Sequence, residues 1–320
     1  MTDRTKRALL IAIAAVVVAL MALFVARNWD DFRQLELAAP LLLIPLAAAA
    51  AVNLFSNGWL MASILRPLGV ALNRSEAFSL SVLNRLGNYV APFRLGASVR
   101  IVYLKNNYDL PVTRFLASMT ATYVIQYGIS SLAGVGALLW LTAAGDTDWN
   151  VVGWGFVAAV IGLGLLVAWT PRHPEAAEGE GRIRRILRRF VEGWATIRAG
   201  RGDLALAAWW ALATYGSFAF MTFFEFRVLG VEISPMEAAF VTSVGALTGL
   251  IGITPAGLGI AEGLVVLAAS TIGLPVHVAF AAAMLQRVVV FLLVGVLSPY
   301  TSAVLARRGK AKLSGGGVAG

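Results

Sequence analysis

Residues 227–238, RVLGVEISPMEA, restate residues 66–77, RPLGVALNRSEA. Both read Arg-x-Leu-Gly-Val, then five residues, then Glu-Ala. Downstream, each copy runs through an apolar stretch into a broken element, VAPFRLGASVR at 90–100 and GITPAGLGIAEG at 252–263. Each then reaches Leu-Pro-Val, at 110–112 and 274–276. The offset is 161 at Glu76 and Glu237, 163 at Pro92 and Pro255, and 164 at Leu-Pro-Val, so the copies keep step to within three residues. A duplicated membrane segment broken by Pro and Gly at matching positions is the sequence pointer to a transport site.

Composition agrees. Hydrophobic residues make up 59% of the chain and charged residues 13%, against ~45–50% and ~25% in soluble domains. Full crossings, each needing about 20 apolar residues in a helix, are predicted at 8–26, 38–65, 111–143, 151–170, 204–229 and 275–305. The interrupted segments 76–107 and 235–272 read as re-entrant hairpins. The fold expected is an all-α polytopic membrane protein forming one membrane domain over 1–320. It has about six transmembrane helices and two re-entrant hairpins in an inverted repeat, with copies at 38–143 and 204–305. The run from Ala8 to Ala26 is longer than a signal-peptide core, and Phe24 spoils a small-x-small cleavage site, so a retained first helix is expected.

Charge sets the orientation. Loops at 66–110 and 171–203, with both termini, hold Arg66, Arg74, Lys105, Arg182, Arg184, Arg185, Arg188, Arg189, Arg307 and Arg308 among others; the opposite loops hold mainly acids. Cytoplasmic loops collect Lys and Arg, so the N- and C-termini are expected inside. Arg66 then lies inside and Arg227 outside, and the two copies cross in opposite directions. The net charge of +9 points to anionic lipid rather than nucleic acid, because the positive residues flank membrane segments. Residues 182–199 within the 171–203 linker form a basic amphipathic helix at the interface, and 306–320 reads as a disordered basic, Gly-rich tail.

The chain has no cysteine and two histidines, so thiol chemistry and a zinc cluster are excluded. No phosphate-binding nucleotide loop is present. Neither a catalytic constellation nor a metal or cofactor is expected. Ionisable groups at membrane depth are costly and mark function or pairing. Arg85, Arg94 and Arg100 lie in or beside the first hairpin, with Asn84 and Asn88 flanking Arg85 at helical spacing. Glu262 follows the second break, and Arg287 lies about 18 Å along the last helix. Glu262 and Arg287 are expected to pair, as a structural brace or as a gating and coupling element. Arg94 and Arg100 either snorkel to the headgroups or, with N–H groups around Gly96, Gly257 and Gly259, hold a phosphate.

The stretches NRLGNYVAPFRLGASVR (84–100) and GLIGITPAGLGIAEG (249–263), with Gln286-Arg287, resemble the lysylphosphatidylglycerol synthase transmembrane-region family, the flippase-like half of bacterial aminoacyl-phospholipid synthases. The resemblance covers roughly 8–305. It implies binding or translocation of a lipid headgroup in a bacterial cytoplasmic membrane. The family's Pro-x-Arg-x-Gly-Glu pattern carries Ala97 here in place of the acid. Bifunctional members add a soluble transferase domain, which is not expected in this chain of 320 residues. The function expected is a flippase for an anionic lipid, a phospholipid or polyprenyl phosphate. The alternatives are a membrane-embedded transferase or accessory subunit, and a transporter of a small soluble anion. Its partners would be that lipid, a lipid-modifying enzyme or a second copy.

Overall fold

The computed structural model describes residues 36–90, 96–169, 182–250 and 257–315, together with 26, 29 and 30. The expected crossing at 8–26 lies outside them, as do Pro92, Arg94, Gly252 and Pro255. Among the described residues there are ten α-helices and no strand: α1 (Leu43–Leu65), α2 (Arg74–Val90), α3 (Gly96–Tyr108), α4 (Val112–Ala144), α5 (Val151–Trp169), α6 (Arg182–Ala199), α7 (Arg201–Val228), α8 (Pro235–Ala246), α9 (Ile260–Thr271) and α10 (Val276–Gly315). Five segments among the described residues are long and apolar enough to cross a membrane: Pro40–Leu68, Val112–Ala144, Val151–Ala168, Arg201–Val228 and Val276–Arg308. This is a multi-pass, all-helical membrane protein. The expected tail differs, since α10 continues to Gly315; its Ala, Arg, Lys and Leu residues favour helix.

The duplicated motif is a helix stop followed by a helix start. Gly69 ends α1 at φ 85° and Gly230 ends α7 at φ 77°, a left-handed conformation open to glycine. Val70 N–H then returns to Leu65 O at 3.2 Å, and Val231 N–H to Phe226 O at 3.0 Å. The glutamate of each copy closes a capping box at the next helix. Glu76 accepts from Asn73 N–H and Glu237 from Ser234 N–H, while Asn73 Oδ1 and Ser234 Oγ accept in return. Such reciprocal bonds satisfy two of the donors stranded at a helix start. Ahead of Leu-Pro-Val, Asp109 (φ 52°) occupies the left-handed position that Gly273 (φ 74°) fills in the second copy.

Each copy therefore runs long helix, two short helices, long helix: α1–α4 and α7–α10. At about 1.5 Å per residue, α3, α8 and α9 are each ~18–20 Å long, short of a ~30 Å hydrocarbon layer. They pair as the hairpins α2–α3 and α8–α9. The copies interlock, with α2 packed chiefly on α10, α8 chiefly on α4, and α1 along α7. The last pair is antiparallel. Ala39 N–H bonds Val228 O at one end, Arg66 meets Asp203 at 3.4 Å at the other, and Trp59 stacks on Trp210 between them.

Two accessory elements lie outside this core. Helix α6 docks on α4 through Trp194 and Ile197, both buried, and leaves Ile186 and Leu187 exposed. Helix α5 rests on α4 and exposes Trp154, Ile161 and Leu165.

One hairpin is tied down at its base. Buried Glu76 accepts from Tyr103 Oη at 2.6 Å and Tyr108 Oη at 3.1 Å, and Arg308 of α10 approaches to 3.8 Å. Where α1 crosses α2, a Cβ on Gly58 would lie 2.5 Å from Ala77 O. Gly58→Ala should therefore cost about 1–3 kcal/mol through overpacking, read as a lower melting temperature in detergent. Gly128→Ala, which meets open space, should be neutral or slightly stabilising.

Candidate functional site

A cavity of ≈ 380 Å³ lies at the centre of the bundle, lined from both copies. Its lining residues recur at the offsets of the sequence repeat. At 161 positions apart stand Asn53 and Thr214, Asn57 and Phe218, Ser81 and Thr242, Asn84 and Gly245, and Arg85 and Ala246. At 164 stand Ala97 and Ala261, Met119 and Ala283, Thr122 and Gln286, and Tyr123 and Arg287. The scaffold is duplicated but the chemistry is not. The first copy supplies Asn84, Arg85 and Asn88, whereas the second has Gly245 and Ala246 opposite two of them and adds Glu262.

Two arginines reach this space without a carboxylate. Arg85 Nη2 donates to Asn53 Oδ1 at 3.0 Å, and Asn53, itself 3% exposed, is fixed by donating to Thr214 O and Ser217 Oγ. Arg100 Nη2 donates to Asn57 Oδ1 at 3.1 Å, and its buried Nε finds no acceptor among the described residues. Neither forms an ion pair among those residues. A side-chain amide carries no charge to offset a guanidinium, so both retain positive field and donors for a planar or tetrahedral oxyanion.

Glu262 and Arg287 do pair. Arg287 Nε donates to Glu262 Oε1 at 2.9 Å, with Nη2 on the same oxygen, and Glu262 is 2% exposed. The other oxygen, Oε2, accepts Gly259 N–H at 2.6 Å. The pair thus locks the start of α9 to α10, and both of its members line the cavity.

The expected backbone donors need correction. Gly96 N–H is consumed by Asn88 Oδ1 at 3.1 Å, and Gly259 N–H by Glu262. Neither amide is available to a phosphate. The glycine at 96 has a packing cause instead, since a Cβ there would overlap the Asn84 carbonyl. Gly257, at φ 70°, does line the cavity. Arg94 lies outside the described residues. Asn84, Arg85, Asn88 and Arg100 come together as the sequence indicates, with Glu262 and Arg287 at the same cavity.

Sequence reasoning passed over Glu225. It lines the cavity from α7 at 2% exposure and accepts from Gln286 Nε2 at 3.3 Å. Its Oε1 has no partner among the described residues. Nearby Arg227 disguises it as half of an interfacial pair, but Arg227 pairs with Glu232 at 3.1 Å. The usable signal was the lone acid inside the apolar run 204–226. Among the described residues no three of His, Asp or Glu converge, and no metal centre is assigned.

A family model described as the lysylphosphatidylglycerol synthase TM region matches residues 9–298. The chain belongs to this family. No curated protein and no solved structure matches it. Membership of the lysylphosphatidylglycerol synthase TM region family fits a bundle whose polar, charged interior is enclosed by apolar helices.

Removing one partner of a buried ion pair leaves the other charge unpaired, at a cost of about 3–5 kcal/mol. Arg287→Leu should therefore lower the melting temperature sharply in detergent. Arg287→Leu combined with Glu262→Leu should recover much of the loss, in a thermal-shift cycle of the four proteins.

Proposed function

We propose that the protein binds the phosphate of an anionic lipid, a phospholipid or polyprenyl phosphate, in the central cavity and carries the headgroup between leaflets. The observation carrying this reading is the pair of arginines, Arg85 and Arg100, held in a membrane-embedded cavity by amides instead of carboxylates. Burying unpaired charge in a bilayer is expensive, and a phosphate would repay it with charge-assisted, bidentate bonds. The volume is at the small end of ligand cavities, ~300–1,000 Å³. It suits a headgroup whose acyl or prenyl tails stay in the bilayer. Gly257 belongs to the same phosphate site in this reading, and Asn84 and Asn88 offer amides to headgroup hydroxyls. The protein acts as a carrier and breaks no bond.

The two halves act as an inverted repeat. The antiparallel run of α1 and α7 and the recurrence of lining residues support that arrangement. In repeats of this kind the site lies at the interface near the midplane, and access alternates by rocking one unit against the other. Glu262–Arg287 serves as the gate, because opening the α9–α10 side requires that pair to part. The protein sits in a bacterial cytoplasmic membrane with both termini on the Lys/Arg-rich cytoplasmic side.

In vesicles reconstituted with fluorescent phosphatidylglycerol, quenching by externally added dithionite should show faster exchange with the wild type than in protein-free vesicles. Arg100→Ala and Arg85→Ala should each slow that exchange at least about tenfold, the scale of losing one charge-assisted bond. Exchange at the wild-type rate in both variants would overturn the assignment.

A further inference from the structure

Four charged groups lie within electrostatic reach of Tyr89: Arg85, Arg287, Glu262 and Glu225. Three of them have defined partners, since Arg85 is held by Asn53 while Glu262 and Arg287 hold each other. Glu225 is the exception. It is buried, faces the cavity, forms no ion pair among the described residues, and receives one weak amide bond on Oε2. Glu262, by contrast, has both oxygens engaged.

We propose that Glu225 is a proton site linked to the cavity's anion, so that each ligand tightens the other. The inference rests on the phosphate reading above. Two negative groups confined in one low-dielectric space disfavour each other, so a bound phosphate favours the protonated carboxyl at Glu225. By reciprocity the proton favours the phosphate by the same factor. Oε1 is the atom free to take the proton, delivered from water or a buffer acid, and Gln286 keeps its bond to Oε2.

From α2 come Arg85 and Tyr89, from α3 Arg100, from α4 Tyr123 and Tyr127, from α7 itself Tyr215, from α9 Glu262 and from α10 Arg287, whereas α1 and α8 present only groups that do not titrate. The two unpaired arginines are the field that carboxylate and phosphate would share. A proton on Glu225 leaves both to the phosphate. Movement of the headgroup then carries a proton with it, and a pH difference across the membrane would drive the lipid.

The test is calorimetric titration of the detergent-solubilised full chain with dihexanoylphosphatidylglycerol. It is run over a range of pH in pairs of buffers with different ionisation enthalpies. A phosphodiester keeps its single charge across neutral pH, so any pH dependence belongs to the protein. The wild type should take up protons on binding, and its affinity should rise as pH falls, by up to about tenfold per pH unit for one linked proton. Glu225→Gln should bind with no proton uptake and a flat pH profile. Binding without uptake in the wild type, or uptake that persists in Glu225→Gln, overturns the linkage and leaves the anion site standing. Absence of binding by the wild type overturns the phosphate reading, and the linkage with it. Should Glu225→Gln fail to fold, infrared difference spectra decide. A protonated-carboxyl band should appear in the wild type on lipid addition, and Gln286→Leu should move the pH midpoint of that band. No band, or a band indifferent to Gln286→Leu, overturns the proposal.

Discussion

Asn53 of α1 reaches across to the carbonyl of its own counterpart in the duplication, Thr214 of α7, at 3.0 Å. The bond joins corresponding positions of the two copies directly, where α1 and α7 meet. Two long apolar helices in a bilayer gain little from the hydrophobic effect against each other. Close packing and this buried amide hold them in register instead. The same Asn53 uses its oxygen to orient Arg85. One side chain thus joins the scaffold to the charged wall of the cavity.

From that crossing the rest follows by exchange. The first helix of each hairpin finds its main partner in the other copy, α2 on α10 and α8 on α4. Neither copy could close a cavity without the other. The duplication supplies the shape, and divergence at corresponding positions supplies the chemistry. Tyr123 and Arg287 occupy matching places, as do Arg85 and Ala246. An enclosed space of such symmetry would be indifferent to its contents if both halves carried the same groups. Here it is cationic and amide-rich along one wall, and acid-bearing along the other.

Much of this was written in the chain. The motif at 66–77 and 227–238 is legible because a glycine stop and a capping box are local devices, encoded within a dozen residues. Glu262 and Arg287 stand out because charges deep in apolar runs have few explanations. The fate of the Gly96 and Gly259 amides was not legible. Their acceptors, Asn88 and Glu262, are set by how the chain folds back on itself, and sequence spacing does not reveal that. Glu225 was hidden for a related reason. Position along a helix indicates depth but not facing, and Glu225 stands only two residues from Arg227, close to the predicted end of its crossing.

The anchoring of Glu76 has no equivalent in the other half. Tyr103 and Tyr108 hold it from α3, and Arg308 approaches from α10. In the second copy the places of those tyrosines are taken by Leu267 and Ile272, which have no hydroxyl to give, and Glu237 stays half-buried. The tyrosine bonds join α2 to α3 and Arg308 links that hairpin to α10, whereas α9 is tied to the loop before α5 by Thr147 Oγ1, which donates to Thr271 O at 3.0 Å. The two hairpins are thus secured by different means: the first by a carboxylate shared between its own helices, the second by hydroxyls and an ion pair offered from α7 and α10.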